Sequence, residues 1–255
     1  MYNSNMYIKT QSLSIYYQKL GQGADLIMLH GWGNDVSSFW NVAQNLKSNF
    51  TVHLIDLPGF GRSDIPTKAF TIDDYADVIS EYITKQELSK PALLGHSVGG
   101  RIAIKLVTKN PNLVGKLILE DSAGIRSKRN IKKYIFLVAA KVFNFIVPNI
   151  FNLKEILRQK FYSKLEFDYI NTGALRETFK NIISEDLSNL LPKVKNETLL
   201  IWGELDKTEE ASLKNGRMMY RSIPRSKLEI FDGCGHFPHL ENPARFIYFI
   251  KDFLS

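Results

Sequence analysis

Apolar residues along this chain come in short blocks separated by longer amphipathic stretches. Residues 26–30 (LIMLH), 51–56 (TVHLID) and 92–95 (ALLG) have the composition of strands buried on both faces. Residues 116–120 (KLILE), 198–202 (TLLIW) and 227–231 (KLEIF) repeat the pattern. Upstream, Tyr7, Ile8, Leu13, Ile15 and Tyr17 sit among polar residues on either side of turn chemistry, which predicts two short strands. Between the blocks the period becomes helical. Residues 72–84 carry Asp73 and Asp74 in a first turn, where the helix dipole favours them. Residues 98–109 stop at Asn110-Pro111, because the residue before a proline avoids helical backbone. Near the end, Asn242 can cap, Pro243 suits a first turn, and Phe246, Phe249, Ile250 and Phe253 form one apolar stripe.

Strands that alternate with helices predict an α/β fold, a mostly parallel sheet flanked by helices. One segment breaks the alternation. Residues 125–195 contain no clear strand and read as helices over 131–147, 153–161 and 174–183. The expected organisation is a core of residues 1–124 and 196–255, interrupted by a helical insertion of residues 125–195.

Composition sharpens this picture at three points. A chain of 255 residues fits one large α/β domain with an insertion. Its single cysteine excludes an internal disulfide framework and any multi-cysteine zinc site. The net charge of +7 is not spread evenly: residues 126–195 carry 14 Lys+Arg against 6 Asp+Glu, a net +8, and the remainder is −1. No nucleic-acid motif accompanies that charge, so no nucleic-acid partner is expected. Contact between the basic insertion and an anionic membrane is one reading. The favoured one is that its apolar faces line a pocket while lysines such as Lys132, Lys133 and Lys141 are solvated. The most apolar stretch, residues 134–151, is broken by Lys141, Asn144, Pro148 and Asn149, short of the ~20 residues a spanning helix needs. The first 20 residues have no apolar core or cleavage site, so no secretory signal is expected, and the cytoplasm is the expected compartment.

The chemistry concentrates at strand ends. Gly95-His96-Ser97-Val98-Gly99 matches G-x-S-x-G, with a strand running in and a helix running out. A serine hydroxyl is a poor nucleophile near neutral pH and needs a base, and the base needs an orienting carboxylate. Of the five histidines, His53 lies within a strand, His96 within the turn, and His30 ends a strand in His-Gly-Trp-Gly. His236, in the Gly233-Cys234-Gly235-His236 loop, is the preferred base, with His239 as its rival. For the acid, Asp206 in Trp202-Gly203-Glu204-Leu205-Asp206 is preferred over Asp121 and Glu204. An oxyanion needs backbone donors, for which Val98 and Trp32 are the candidates. Gly59-Phe60-Gly61 is half a dinucleotide fingerprint, but Asp64 stands where a third glycine belongs. Cys234 is a poor thiol nucleophile, having no helix N-terminus behind it.

His30–Gly33, the Asp56–Ser63 segment (DLPGFGRS), the Gly95–Gly100 turn, Trp202–Asp206 and Gly235-His236 occur in the order of an α/β-hydrolase. The chain resembles that superfamily, close to its small capped esterase-like enzymes. The resemblance covers the chain from about residue 26 to its end, apart from the insertion. It implies an eight-stranded sheet, a helical cap made by the insertion before the last two strands, and a structural rather than catalytic role for the Asp56–Ser63 turn. Many relatives carry a proline soon after the acid, whereas Lys207-Thr208-Glu209-Glu210 follows Asp206 here. The expected activity is hydrolysis of a small or medium acyl ester through an acyl-enzyme on Ser97, His236 and Asp206. No metal or cofactor is required. Carbon–carbon bond hydrolysis, acyl transfer, ligand sensing without turnover and lipid hydrolysis at a membrane are the alternatives.

Overall fold

A computed structural model describes residues 6–126 and 175–255. Eight strands form one sheet: β1 (Met6–Thr10), β2 (Leu13–Gly21), β3 (Ala24–Leu29), β4 (Phe50–Ile55), β5 (Ala92–His96), β6 (Leu117–Glu120), β7 (Thr198–Gly203) and β8 (Ser226–Phe231). Their order across the sheet is β1-β2-β4-β3-β5-β6-β7-β8. The pairings of β2 with β1 and β4 are antiparallel, and every other neighbour is parallel. The six apolar blocks all became strands, within two residues of their expected ends. β2 is longer than its local pattern suggests because Tyr17–Gly21 pair with β4, a tertiary contact that local alternation does not encode. The hairpin between β1 and β2 turns on Gln11 and Ser12, both at positive φ (45° and 71°), as a two-residue primed turn demands.

Seven helices are described: α1 (Trp40–Leu46), α2 (Ile72–Lys85), α3 (Val98–Lys109), α4 (Arg176–Ser184), α5 (Leu213–Ser222), α6 (Pro238–Glu241) and α7 (Pro243–Leu254). α2 starts on a capping box: the Thr71 side chain accepts from the Asp74 N–H and the Asp74 carboxylate accepts from the Thr71 N–H. α7 starts as its sequence predicts, with Asn242 accepting from the Arg245 N–H ahead of Pro243. α1 and α5 were not expected. α1 has seven residues and no side-chain cap. α5 contains Gly216, which argues against a helix, yet a Cβ there would lie 2.6 Å from the Trp202 ring. That glycine allows α5 to close onto β7.

Strand parity divides the core in two. Ile27, Leu29, Leu93, Leu119 and Trp202 face α2, α3 and α5. Leu26, Met28, Leu94, Ile118 and Ile201 face α1 and α7 on the other side. Successive residues of one strand thus bury on opposite faces, which explains why these strands read as unbroken apolar runs. The expected helices over 131–147 and 153–161, and Lys132, Lys133 and Lys141, lie outside the described residues. The helix expected over 174–183 is described as α4, and Leu187, Leu191 and Val194 beyond it pack into the core. Among the described residues no helix is long and apolar enough to cross a membrane. β3 has β4 on one side and β5 on the other, so the loops after β3 and β5 diverge there, at the type of crevice where open α/β sheets bind ligands.

Candidate active site

Ser97 stands between the last residue of β5 and the first of α3. Its backbone is at φ 52°, ψ −112°, a region that costs an L-residue on the order of 1–3 kcal/mol. The turn is held from both sides. The Ser97 N–H donates to the Glu120 carbonyl at 3.0 Å, and its own carbonyl accepts from the Ala123 and Gly100 N–H groups at 3.1 Å. A Cβ on Gly95 would collide with the Gly99 carbonyl, and one on Gly99 with the Leu29 carbonyl, so both positions of the motif are filled by the backbone itself. The serine side chain is left half-buried at the start of α3. The Val98 N–H, first in the helix, has no intrahelical acceptor by position.

The loop after β3 runs alongside. A Cβ on Gly31 would stand 3.2 Å from the Ser97 Cβ and 2.9 Å from His96 Nδ1, so this loop lies directly against the serine turn. Trp32 follows, its ring packed on Phe60 at 4.8 Å and on Phe179 of α4 at 5.0 Å. These three rings form one aromatic cluster at the loop that follows Gly31. His30 is fully buried: its Nδ1–H donates to the Gly31 carbonyl and its Nε2 accepts from the Leu57 N–H, at 2.8 and 3.0 Å. Burial pushes its pKa down to about 4, so it is a neutral brace between two loops. The Asp56–Ser63 turn closes on itself: Asp56 accepts from the Val36 and Arg62 N–H groups, and the Ser63 hydroxyl donates to the Asp56 carbonyl.

His236 and Asp206 meet across the ends of β8 and β7. The Nδ1–H of His236 donates to Asp206 Oδ2 at 2.8 Å, with side-chain exposures of 20% and 1%. Burial alone would push the Asp206 carboxyl up. The hydrogen bond and charge of His236, together with the Thr208 N–H and hydroxyl, outweigh it and hold the group below the usual carboxylate range. The His236 loop is anchored by a contact that no local pattern marks. His96 Nε2 donates to the His236 carbonyl at 2.8 Å, and the two rings lie 4.8 Å apart. Burial and the neighbouring histidines hold His96 well below the ordinary imidazole value, so it serves as a neutral donor. Since His96 directly precedes Ser97, this bond ties the serine turn to the histidine loop.

The stretch after Asp206, Lys207-Thr208-Glu209-Glu210, is pinned by side-chain contacts. The buried Arg101 of α3 reaches Glu210 at 2.8 Å, Asn215 donates to the Glu210 carbonyl at 2.9 Å, and the Trp202 indole donates to the Ala211 carbonyl at 2.6 Å. The rival candidates sit elsewhere. Glu204 is exposed and accepts from the Gly233 N–H. His239 is fully buried, with Nδ1 on Glu120 at 2.7 Å and Nε2 on the Ser38 hydroxyl at 3.1 Å. Asp121 is fully buried close to the Asp206–His236 pair. Ligand atoms of Asp121, Asp206 and His236 lie within 4.8 Å of one another, close enough to reach a shared cation, although His236 Nδ1 is already committed to Asp206. Cys234 is buried, and burial followed by the Glu241 charge pushes its thiol up, which disfavours the thiolate.

Known proteins share this arrangement of chain and fold. Residues 26–243 match the alpha/beta hydrolase fold family. The chain is 27% identical to 2-hydroxy-6-oxononadienedioate/2-hydroxy-6-oxononatrienedioate hydrolase 1 of Pseudomonas putida, over 95% of this chain and 92% of that protein. It is also 27% identical to the pimeloyl-[acyl-carrier protein] methyl ester esterase of Nitrosomonas europaea, over 92% of this chain and 97% of that one. A thermophilic esterase from Thermogutta terrifontis has the same fold, with a TM-score of 0.76 at 21% identity, covering 98% of both chains. Sheet order, the strained serine turn and the sequence match agree, and the chain belongs to the alpha/beta hydrolase fold family.

Proposed function

We propose that this chain is a serine hydrolase that cleaves carboxylic esters of small or medium acyl groups. The observation that carries the reading is the 2.8 Å hydrogen bond from His236 Nδ1 to Asp206 Oδ2, on a loop anchored by the residue before Ser97. With Nδ1 committed to the carboxylate, Nε2 is the remaining basic atom of the ring. In the proposed reaction the Ser97 hydroxyl attacks the acyl carbonyl as Nε2 takes its proton. The oxyanion is held by the Val98 and Trp32 N–H groups. Collapse expels the alcohol, which leaves with the proton from Nε2. Water then gives a proton to Nε2 and attacks the acyl carbon, and Ser97 recovers its proton as the acid departs. Asp206 keeps the imidazole in the right tautomer and stabilises its cation. The Trp32–Phe60–Phe179 cluster suits an apolar acyl chain.

A panel of p-nitrophenyl esters of rising chain length tests this. The wild type hydrolyses members of the panel and Ser97→Ala does not; a Ser97→Ala enzyme of full activity would refute the assignment. The 2-hydroxy-6-oxononadienedioate hydrolase of Pseudomonas putida favours a second reading, hydrolysis of a carbon–carbon bond on the same residues. 2-Hydroxy-6-oxononadienedioate offered alongside the esters separates the two. If its kcat/KM exceeds that of every ester, the second reading replaces the first.

A further inference from the structure

Asp121 is the carboxyl that this reaction leaves unused. It follows β6, is fully buried, and sits at φ 37°, where L side chains are strained. Its two oxygens share the Gly203 N–H at 3.1 and 3.3 Å, at the end of the strand that leads to Asp206. Its carboxyl, that of Asp206 and the His236 ring form one cluster, with ligand atoms within 4.8 Å of one another. Two carboxyls buried this close together do not both ionise, so one of them keeps a proton.

The surroundings decide which one. Asp206 has the His236 Nδ1–H and the Thr208 N–H as donors. Asp121 has one backbone N–H, shared between its oxygens, and the Glu120 carboxylate beside it. The groups facing Asp121 are therefore Glu120 from β6, Asp206 from the loop after β7 and His236 from the loop after β8, two of them acidic. Burial first, then the charges of Glu120 and Asp206, push the Asp121 carboxyl up to about 11, while Asp206 moves down.

We propose that Asp121 is a positioning residue, a neutral carboxylic acid whose O–H donates to the Asp206 carboxylate and fixes the orientation in which Asp206 meets His236. This rests on the Ser97–His236–Asp206 reading. Asp206 is then held by donors from three chain segments. Its rotation is blocked, and its charge is partly shared with Asp121, which moderates the basicity of His236.

The test compares Asp121→Ala and Asp121→Asn with the wild type on the most reactive p-nitrophenyl ester. Asp121→Ala removes the donor and lowers kcat by about tenfold or more with KM unchanged. It also moves the acid limb of the kcat/KM profile to higher pH and shifts the low-field proton resonance of His236 Nδ1–H. Asp121→Asn keeps an N–H for Asp206 and an oxygen for the Gly203 N–H, and recovers most of the loss. Wild-type kcat, pH profile and resonance in Asp121→Ala would overturn the proposal. So would an Asp121→Asn enzyme as impaired as Asp121→Ala, because an ionised group would then be what matters. Ser97→Ala in the same assay separates the two levels: if it is active the triad reading fails, and if it is inactive an unaffected Asp121→Ala sinks only the role of Asp121. Should Asp121→Ala not fold, isotope-edited infrared spectra of the wild type at pH 7 must contain a protonated carboxyl band that Asp121→Asn lacks. Absence of that band overturns the proposal as well.

Discussion

His236 and His239, three residues apart, each give Nδ1 to a carboxylate at almost the same distance, 2.8 Å to Asp206 and 2.7 Å to Glu120. The second pair even continues to a serine, with His239 Nε2 at 3.1 Å from the Ser38 hydroxyl. By composition, Ser38–His239–Glu120 is as good a triad as Ser97–His236–Asp206. The difference lies in what surrounds each. Glu120 and His239 have no exposed surface, and their chain ends in a 3₁₀ turn (Val36–Phe39) against Phe39, 4.4 Å from the His239 ring. The His236 side chain is 20% exposed and is tied through His96 to a serine held in a strained conformation at a helix N-terminus. A carboxylate–histidine bond is therefore no sign of catalysis by itself. The sealed pair joins β6, α6 and the 36–39 turn, and the open pair is the one the proposed reaction uses.

The largest effect is on the open pair: Ser97→Ala and His236→Ala each lower kcat by on the order of 10⁶, since members of a triad act as a unit. Steady-state kinetics on purified protein check this, and comparable residual activity in His236→Ala and wild type would erase the distinction. Asp206→Asn comes next, at about 10⁴-fold, through loss of the correct tautomer. Substitution in the sealed pair has a different signature. His239→Ala or Glu120→Ala costs ~3–5 kcal/mol of stability, because the partner is left buried and uncompensated. A urea midpoint measures that loss, and the activity of the fraction that remains folded stays near wild type. An unchanged midpoint with lost activity would mean the two pairs have been assigned the wrong way round.

The smallest effect concerns pH. The folded pKa of Asp121, about 11, lies above its unfolded value. Its contribution to stability is thus fully present below about pH 4 and is lost as pH rises toward the folded value. Asp206 is shifted the other way, and its contribution is lost as pH falls through its folded value. Unfolding free energies at pH 5, 7 and 9 should show the advantage of Asp121→Asn over wild type growing with pH. A difference independent of pH would contradict a proton-bearing Asp121.

The sheet was legible because a doubly buried parallel strand leaves an uninterrupted apolar block, as in residues 26–30 and 198–202. α5 was not, because it buries only Asn215, Gly216 and Met219 and owes its position to the fit of Gly216 on Trp202. Within the site, Ser97 is announced by the glycines its turn requires, and Asp206 and His236 by their loops after strands. The supporting bonds carry no local mark. Glu120 and His239 are 119 residues apart, and His96 and His236 are 140 apart. Asp121 read as a competitor of Asp206 because spacing cannot reveal that two strand ends bring both carboxyls together. The segment after Asp206 looked irregular, and only packing reveals Arg101 and Glu210 as what holds it.

Covalent labelling puts the distinction between the two serines to the most direct test. An alkyl fluorophosphonate reacts with an activated serine by forming an O–P bond and expelling fluoride. After exposure to a modest excess, intact mass and peptide mapping should find one phosphonyl group, on Ser97, with Ser38 unmodified and no adduct in His236→Ala. An adduct on Ser38, or a Ser97 that stays unlabelled in folded wild-type protein, would contradict the account.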